Sequence, residues 1–190
     1  MRTKEKFFGA VKKAACLALA FAMAITLVNP MTVEAKSKKV KVANQKFLTT
    51  ASAAEAIAKP IGKGTTTLTF KLKKSAYEGY VKFTAPQTKN YKITIDKAKC
   101  SSGNYFCGAV CFQKVDPKYD SLDFVDVNTS HSDKIWFNYA NKKSSGKYKN
   151  VYVTKRKGSV YLEAGQTYYI YTHGNGGYRS KTASFNITIK

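Results

Sequence analysis

Cations gathered around glycines are the residues of this chain best suited to chemistry. Lys155, Arg156 and Lys157 stand in "VTKRKGSV", and His173, Tyr178, Arg179 and Lys181 stand in "YTHGNGGYRSK". Lysine and arginine neutralise phosphate or carboxylate, a tyrosine ring stacks on a sugar or base, and glycine amides wrap an anion. That chemistry is anion binding rather than bond breaking. His131 and His173 are the only histidines, and no HExxH, GxSxG or phosphate-loop pattern occurs. Ser130, His131, Ser132 and Asp133 place triad residue types side by side, but a triad is assembled by spatial geometry, not adjacency. The expectation is a protein without catalysis.

Acids concentrate elsewhere. Asp116, Asp120, Asp123 and Asp126, followed by Asp133, lie in "VDPKYDSLDFVDVNTSHSD". Calcium takes about six to eight oxygens from acid-rich loops, which makes the first four a candidate calcium set. Their spacing is not that of an EF-hand, and the plainer reading is a polar loop balancing nearby lysines. Cys100 and Cys107 bound "CSSGNYFC", which reads as a hairpin tip where the two could pair as a disulfide. Cys111 would then be a small core residue or a free thiol. The single tryptophan, Trp136, could join Tyr139, Tyr169 and Tyr171 in a flat sugar platform, although core packing is the commoner use of such a ring.

The N-terminus supplies an address. "MRTKEKFFGAVKK" is basic, Ala14–Val28 is uncharged and apolar, and "VEA" precedes Lys36, the pattern of a secretory signal peptide over residues 1–35. The apolar run is shorter than the roughly 20 residues a spanning helix needs, so the expected product is secreted, extracellular or wall-associated, with no transmembrane anchor in the mature form. Setting aside the first 35 residues, which hold five bases and two acids, turns the net charge of +22 into +19. A field of that size concentrates anionic partners in a salt-dependent way. Only Arg2, Arg156 and Arg179 are arginines; lysine is a solvated point charge that reads no base sequence. Specific nucleic-acid recognition is therefore not expected. Anionic wall polymers or acidic polysaccharides suit an exported lysine-rich chain better, and a merely solubilising surface is the bland alternative.

These residues need a scaffold. Residues 36–64 read as a basic leader or linker, closed by Pro60, Gly62 and Gly64. From Thr65 the pattern becomes period two, rich in β-branched and aromatic residues. Leu68, Phe70 and Leu72 share one face, as do Val81 and Phe83, and Tyr91, Ile93 and Ile95. Further strands are expected at Gly108–Gln113, Lys134–Tyr139, Val151–Thr154, Ser159–Glu163, Thr167–Thr172 and Ala183–Ile189. If the strands at 151–154, 159–163 and 167–172 form a meander, "KRKG" and "HGNGGYRSK" project as loops from one end and gather the cations. "EAGQTYY" is then a hairpin, with Val160, Leu162, Tyr168 and Ile170 facing inward. The expected fold is all-β, an antiparallel sandwich of jelly-roll type.

"GYVKFTAPQTKNYKITI", later "GSVYLEAGQTYYIYT", and a closing "SFNITIK" resemble the bacterial pre-peptidase C-terminal (PPC) domain over residues 65–190. Phe83, Ala85, Pro86, Tyr91 and Ile93 match its first motif; Leu162, Ala164, Gly165, Tyr168, Tyr169 and Ile170 match its second. Asn90 stands where that family often has glycine. The resemblance implies a sandwich that usually accompanies secreted enzymes. The leading expectation is a secreted binding module for anionic wall polymer or polysaccharide; the alternative is a calcium-stabilised accessory domain serving a separate secreted enzyme.

Overall fold

The structure, a computed structural model, describes residues 38–48, 50–74, 76–101, 106–114, 121–127, 131–139, 155–176 and 180–190. Tyr178, Arg179, Asp116, Asp120, the strand expected at 151–154 and the signal segment lie outside them. Among the described residues the chain runs β1 (Lys38–Lys41), α1 (Ala51–Ile57), β2 (Lys59–Pro60), β3 (Gly64–Lys71), β4 (Ala76–Thr84) and β5 (Lys89–Cys100). It continues with β6 (Phe106–Lys114), β7 (Ile135–Tyr139), β8 (Lys155–Leu162), β9 (Thr167–Gly176) and β10 (Thr182–Ile189). No described helix is long and apolar enough to cross a membrane.

Two five-stranded sheets pack face to face as an all-β sandwich, in the orders β1-β3-β10-β5-β8 and β2-β4-β9-β6-β7. The period-two pattern is the cause. Leu68 and Phe70 of β3, Ile93 and Ile95 of β5, and Phe185 and Ile187 of β10 point inward and are buried. They meet Val81 and Phe83 of β4, Val110 and Phe112 of β6, and Ile170 of β9 in one cluster. Burying each such side chain is worth about 1.5–3 kcal/mol. The sheets are mixed rather than purely antiparallel, because β1 lies parallel to β3 and β2 parallel to β4.

Residues 38–64 are not a leader apart from the sandwich. β1 forms the edge of the first sheet, with buried Val40 opposite Leu68. The chain then crosses to the second sheet: the Val42 amide donates to the Thr69 carbonyl at 2.9 Å and the Gln45 amide to the Glu78 carbonyl at 2.9 Å. The seven-residue α1 lies over β4 and β9, burying Ala54 completely, and the Ile61 amide donates to Lys82 O at 2.8 Å beyond β2. A helix this short is marginal alone; packing against the sheet holds it.

Two local readings change. The 163–166 turn joins β8 to β9 in opposite sheets, so "EAGQTYY" is an inter-sheet turn and not a hairpin, although Val160, Leu162, Tyr168 and Ile170 do face inward. Gly165 supplies its positive φ of 78°. This turn interlocks with the one after β4: the Gly165 amide donates to Ala85 O at 2.8 Å and the Ala85 amide to Gln166 O at 3.0 Å. Likewise Cys100 closes β5 in the first sheet while Cys107 is in β6 of the second. They do not flank one hairpin, and no disulfide joins them in the structure.

Candidate functional site

Of the expected loop cluster, Lys155, Arg156, Lys157 and His173 stand on strands and not on loop tips. Lys155, Arg156 and Lys157 begin β8, a continuous strand paired with β5 from Asp96↔Lys155 to Lys89↔Leu162. Gly158, which read as turn punctuation, lies within the strand because a Cβ there would stand 3.1 Å from the Phe124 ring packed over it. His173 is equally strand-borne, in β9 of the opposite sheet. Gly174 beside it faces Gly108 across the strand pair, and both leave room for the buried Tyr77 ring. Glycines needed for close packing thus imitate loop glycines in sequence. Lys181 is exposed just before β10, its amide donating to Ser101 Oγ at 2.9 Å.

What the fold does bring together is the outer face of the first sheet. Alternation along β3 turns Thr65, Thr67 and Thr69 outward while Thr66, Leu68 and Phe70 face in. On β10 the outward positions are Ser184, Asn186 and Thr188. Register aligns them in rows: Thr65, Thr188, Thr94 and Lys157 in one, and Lys39, Thr67, Asn186, Asp96 and Lys155 in the next. The third row holds Lys41, Thr69, Ser184 and Lys99. A hydroxyl and amide strip on the two inner strands is therefore bordered by lysines of β1 on one side and of β5 and β8 on the other.

The strip is internally bonded. The Thr65 and Thr188 hydroxyls are 2.8 Å apart, Thr67 Oγ1 donates to Asn186 Oδ1 at 2.8 Å, and Thr69 Oγ1 donates to Val40 O at 3.2 Å. A β-bulge in β5 sets one of the flanking lysines. Ser184 pairs with Lys99 but Asn186 with Asp96, so β5 carries an extra residue, and Lys97 has φ 49°. The bulge resets alternation, leaving Ala98 buried and Lys99 exposed.

Two depressions mark the ends of this face. One, about 750 Å³, is lined by Lys39, Lys41, Lys71 and Lys99 with Thr69 and Ser184. The other, about 530 Å³, is lined by Lys92, Lys155, Lys157 and Lys190 with Thr65 and Thr94. Asp96 and Asp126 are the acids of the second depression. Lys155 and Lys157 of the expected site thus remain together, but with lysines on neighbouring strands that sequence reasoning did not select. The Thr-x-Thr-x-Thr alternation opposite Leu68 and Phe70 was the available signal.

Of the candidate calcium residues, Asp123 Oδ1 accepts a 2.9 Å hydrogen bond from Ser132 Oγ, while Asp126 faces the lysine depression. Among the described residues no three His, Cys, Asp or Glu side chains come together as a metal set.

The outer face of the second sheet differs. Tyr80, Tyr169 and Tyr171 point away from the core yet are buried, because α1 and the segment before it cover them. Tyr169 OH donates to Glu55 of α1, which also pairs with Lys82; Tyr171 OH donates to Glu78 Oε2 at 2.9 Å and the Leu48 amide to Tyr80 OH at 2.9 Å. Burial raises the Tyr169 and Tyr171 hydroxyls well above their ordinary range, with the neighbouring carboxylates adding to it. Trp136 is on this outer face and half-buried, not in the core, with its ring edge-on to His173 at 5.7 Å. His173 stacks on Tyr171 at 5.3 Å; burial lowers its pKa, against an opposing pull from Glu78. A sugar platform of Trp136, Tyr169 and Tyr171 is not presented, since its tyrosines are covered; the Tyr139 side chain lies outside the described residues.

No protein-family model matches this chain, and no curated protein matches it.

Proposed function

We propose that this protein is a secreted, non-catalytic binding module that holds anionic cell-wall polymer or polysaccharide on the outer face of its first sheet. The observation that carries the reading is the double lysine border: Lys39 and Lys41 on one side, Lys99, Lys155 and Lys157 on the other, with Lys71 and Lys190 at the ends of the strip. Strand-borne cations are held in fixed spacing, which a loop tip does not provide. The mature charge adds long-range attraction. The PPC-like kinship belongs to the same proposal; its support is that the two matching segments meet at Ala85 and Gly165.

The test is retention on purified cell walls across a salt series. The wild-type protein is expected to bind at low salt and to elute as salt rises. Lys155→Gln with Lys157→Gln is expected to weaken binding and flatten the log–log salt dependence by about 1 per lysine. Retention indifferent to salt, or to removal of these lysines, would refute the reading.

A further inference from the structure

The strip between the lysines carries information that charge alone does not. A surface evolved only to attract negative charge has no need of an ordered hydroxyl floor. Here Thr65 bonds Thr188 and Thr67 bonds Asn186, so their oxygens are fixed before any ligand arrives. A hydroxyl donates once and accepts twice, and an amide side chain both donates and accepts. The floor therefore offers both halves of a hydrogen bond, whereas the lysines only donate. From Thr69, at one depression, to Thr65, at the other, is about 13 Å along β3. A ligand touching both ends is an extended chain and not a single small anion. Lysine-bearing β1 and β5 lie about 14 Å apart across the strip, room for one chain lying along β3 and β10.

Among the described residues, aromatic rings, which single-stranded nucleic acids require for base stacking, are almost missing from this side. On its five strands the one outward ring is exposed Tyr161, at the edge in β8.

We infer that the ligand class of this face is a linear polyhydroxylated polyanion, a glycan or polyol chain bearing carboxylate or phosphate, whose hydroxyls meet the Thr65–Thr188 and Thr67–Asn186 floor while its charges meet the flanking lysines. The inference rests on the proposed anion-binding role of the same face and adds the identity of what lies between the charges.

Binding of the full chain at low salt is compared for polygalacturonate, poly(glycerol phosphate) and poly-L-glutamate of matched charge; the last lacks hydroxyls. The first two separate carboxylate from phosphate as the source of charge. At least one of them is expected to bind about tenfold more tightly than poly-L-glutamate, the equivalent of one or two net hydrogen bonds. Thr65→Val with Thr188→Val keeps the strand-favouring branched shape and removes the hydroxyls. It is expected to erase most of that preference while leaving poly-L-glutamate binding unchanged; Thr67→Val serves the same purpose if the pair does not fold. Equal affinity for all three polymers, or a preference that survives the valines, overturns this inference and leaves electrostatic capture standing. Binding to none of them, or binding untouched by Lys155→Gln and Lys157→Gln, overturns both.

Discussion

The two outer faces of this sandwich begin from the same rule and end differently. Both sheets turn alternate residues outward. On the first sheet those residues are chiefly threonine, serine, asparagine and lysine, with Asp96 and the edge ring Tyr161 among them, and two depressions lie over them. On the second they include Tyr80, Tyr169 and Tyr171, which the chain covers with Phe47, Leu48, Ala54, Ile57 and Ala58. Amphipathic rings facing water would expose a large apolar patch, whereas short hydroxyls and lysines would not. Side-chain chemistry therefore decides which face is roofed and which is left open.

The sharpest way to break the comparison is to delete one outward side chain from each face. Tyr80→Ala removes a ring that is 2% exposed, packs on Tyr171 at 5.0 Å and receives the Leu48 amide. It is expected to cost about 3–5 kcal/mol in denaturant unfolding. Lys92→Ala on the first sheet is expected to stay within about 0.5 kcal/mol. Similar losses at both positions would mean that the faces are not energetically distinct.

Acid is expected to act next, and on the roofed face. His173 has a lowered folded-state pKa, so the native state resists its protonation. The stability this gives is present above the ordinary histidine value of 6.5 and is lost as pH falls through the folded value. The Glu55 carboxyl is held below its usual value, first by the Lys82 hydrogen bond and then by that from Tyr169. Its contribution is likewise present above the ordinary value and disappears as pH falls through the lowered one. Melting temperature measured from pH 8 downward should first decline near neutrality in wild type. That first decline should be absent in His173→Gln.

Glu55→Gln probes the smallest effect. The Glu55 side chain is 52% exposed, so solvent screening limits its pairing with Lys82 to under about 1 kcal/mol. Faster amide exchange in α1, with little change in global melting, is the expected outcome. A large global loss would show that the roof holds the sandwich together as a whole.

The sandwich was legible where alternation was clean. Leu68 and Phe70, Ile93 and Ile95, and Phe185 and Ile187 announce β3, β5 and β10, because one buried face fixes period two. β8 was hidden. Lys-Arg-Lys-Gly looks like a loop until Phe124 is seen to need the space at Gly158 and the lysines to need an outer face. The segment 38–60 was hidden for another reason: its buried residues come as two short pairs, Val40 with Val42 at strand spacing and Ala54 with Ala58 at helix spacing, too brief to establish either period. For the site, sequence identified Lys155 and Lys157 as useful cations but assigned them to a loop. Their company on the sheet depends on pairings such as Thr67 with Asn186, 119 residues away, which no local pattern encodes.

β10 occupies the middle of its sheet, between β3 and β5, though it is made after every other described strand. Until it arrives, the hydroxyl floor exists only as half a set of partners and two neighbouring strands have nothing between them. The first sheet therefore stays divided into the pairs β1-β3 and β5-β8 until the last strand is made, whereas the second sheet needs nothing from it.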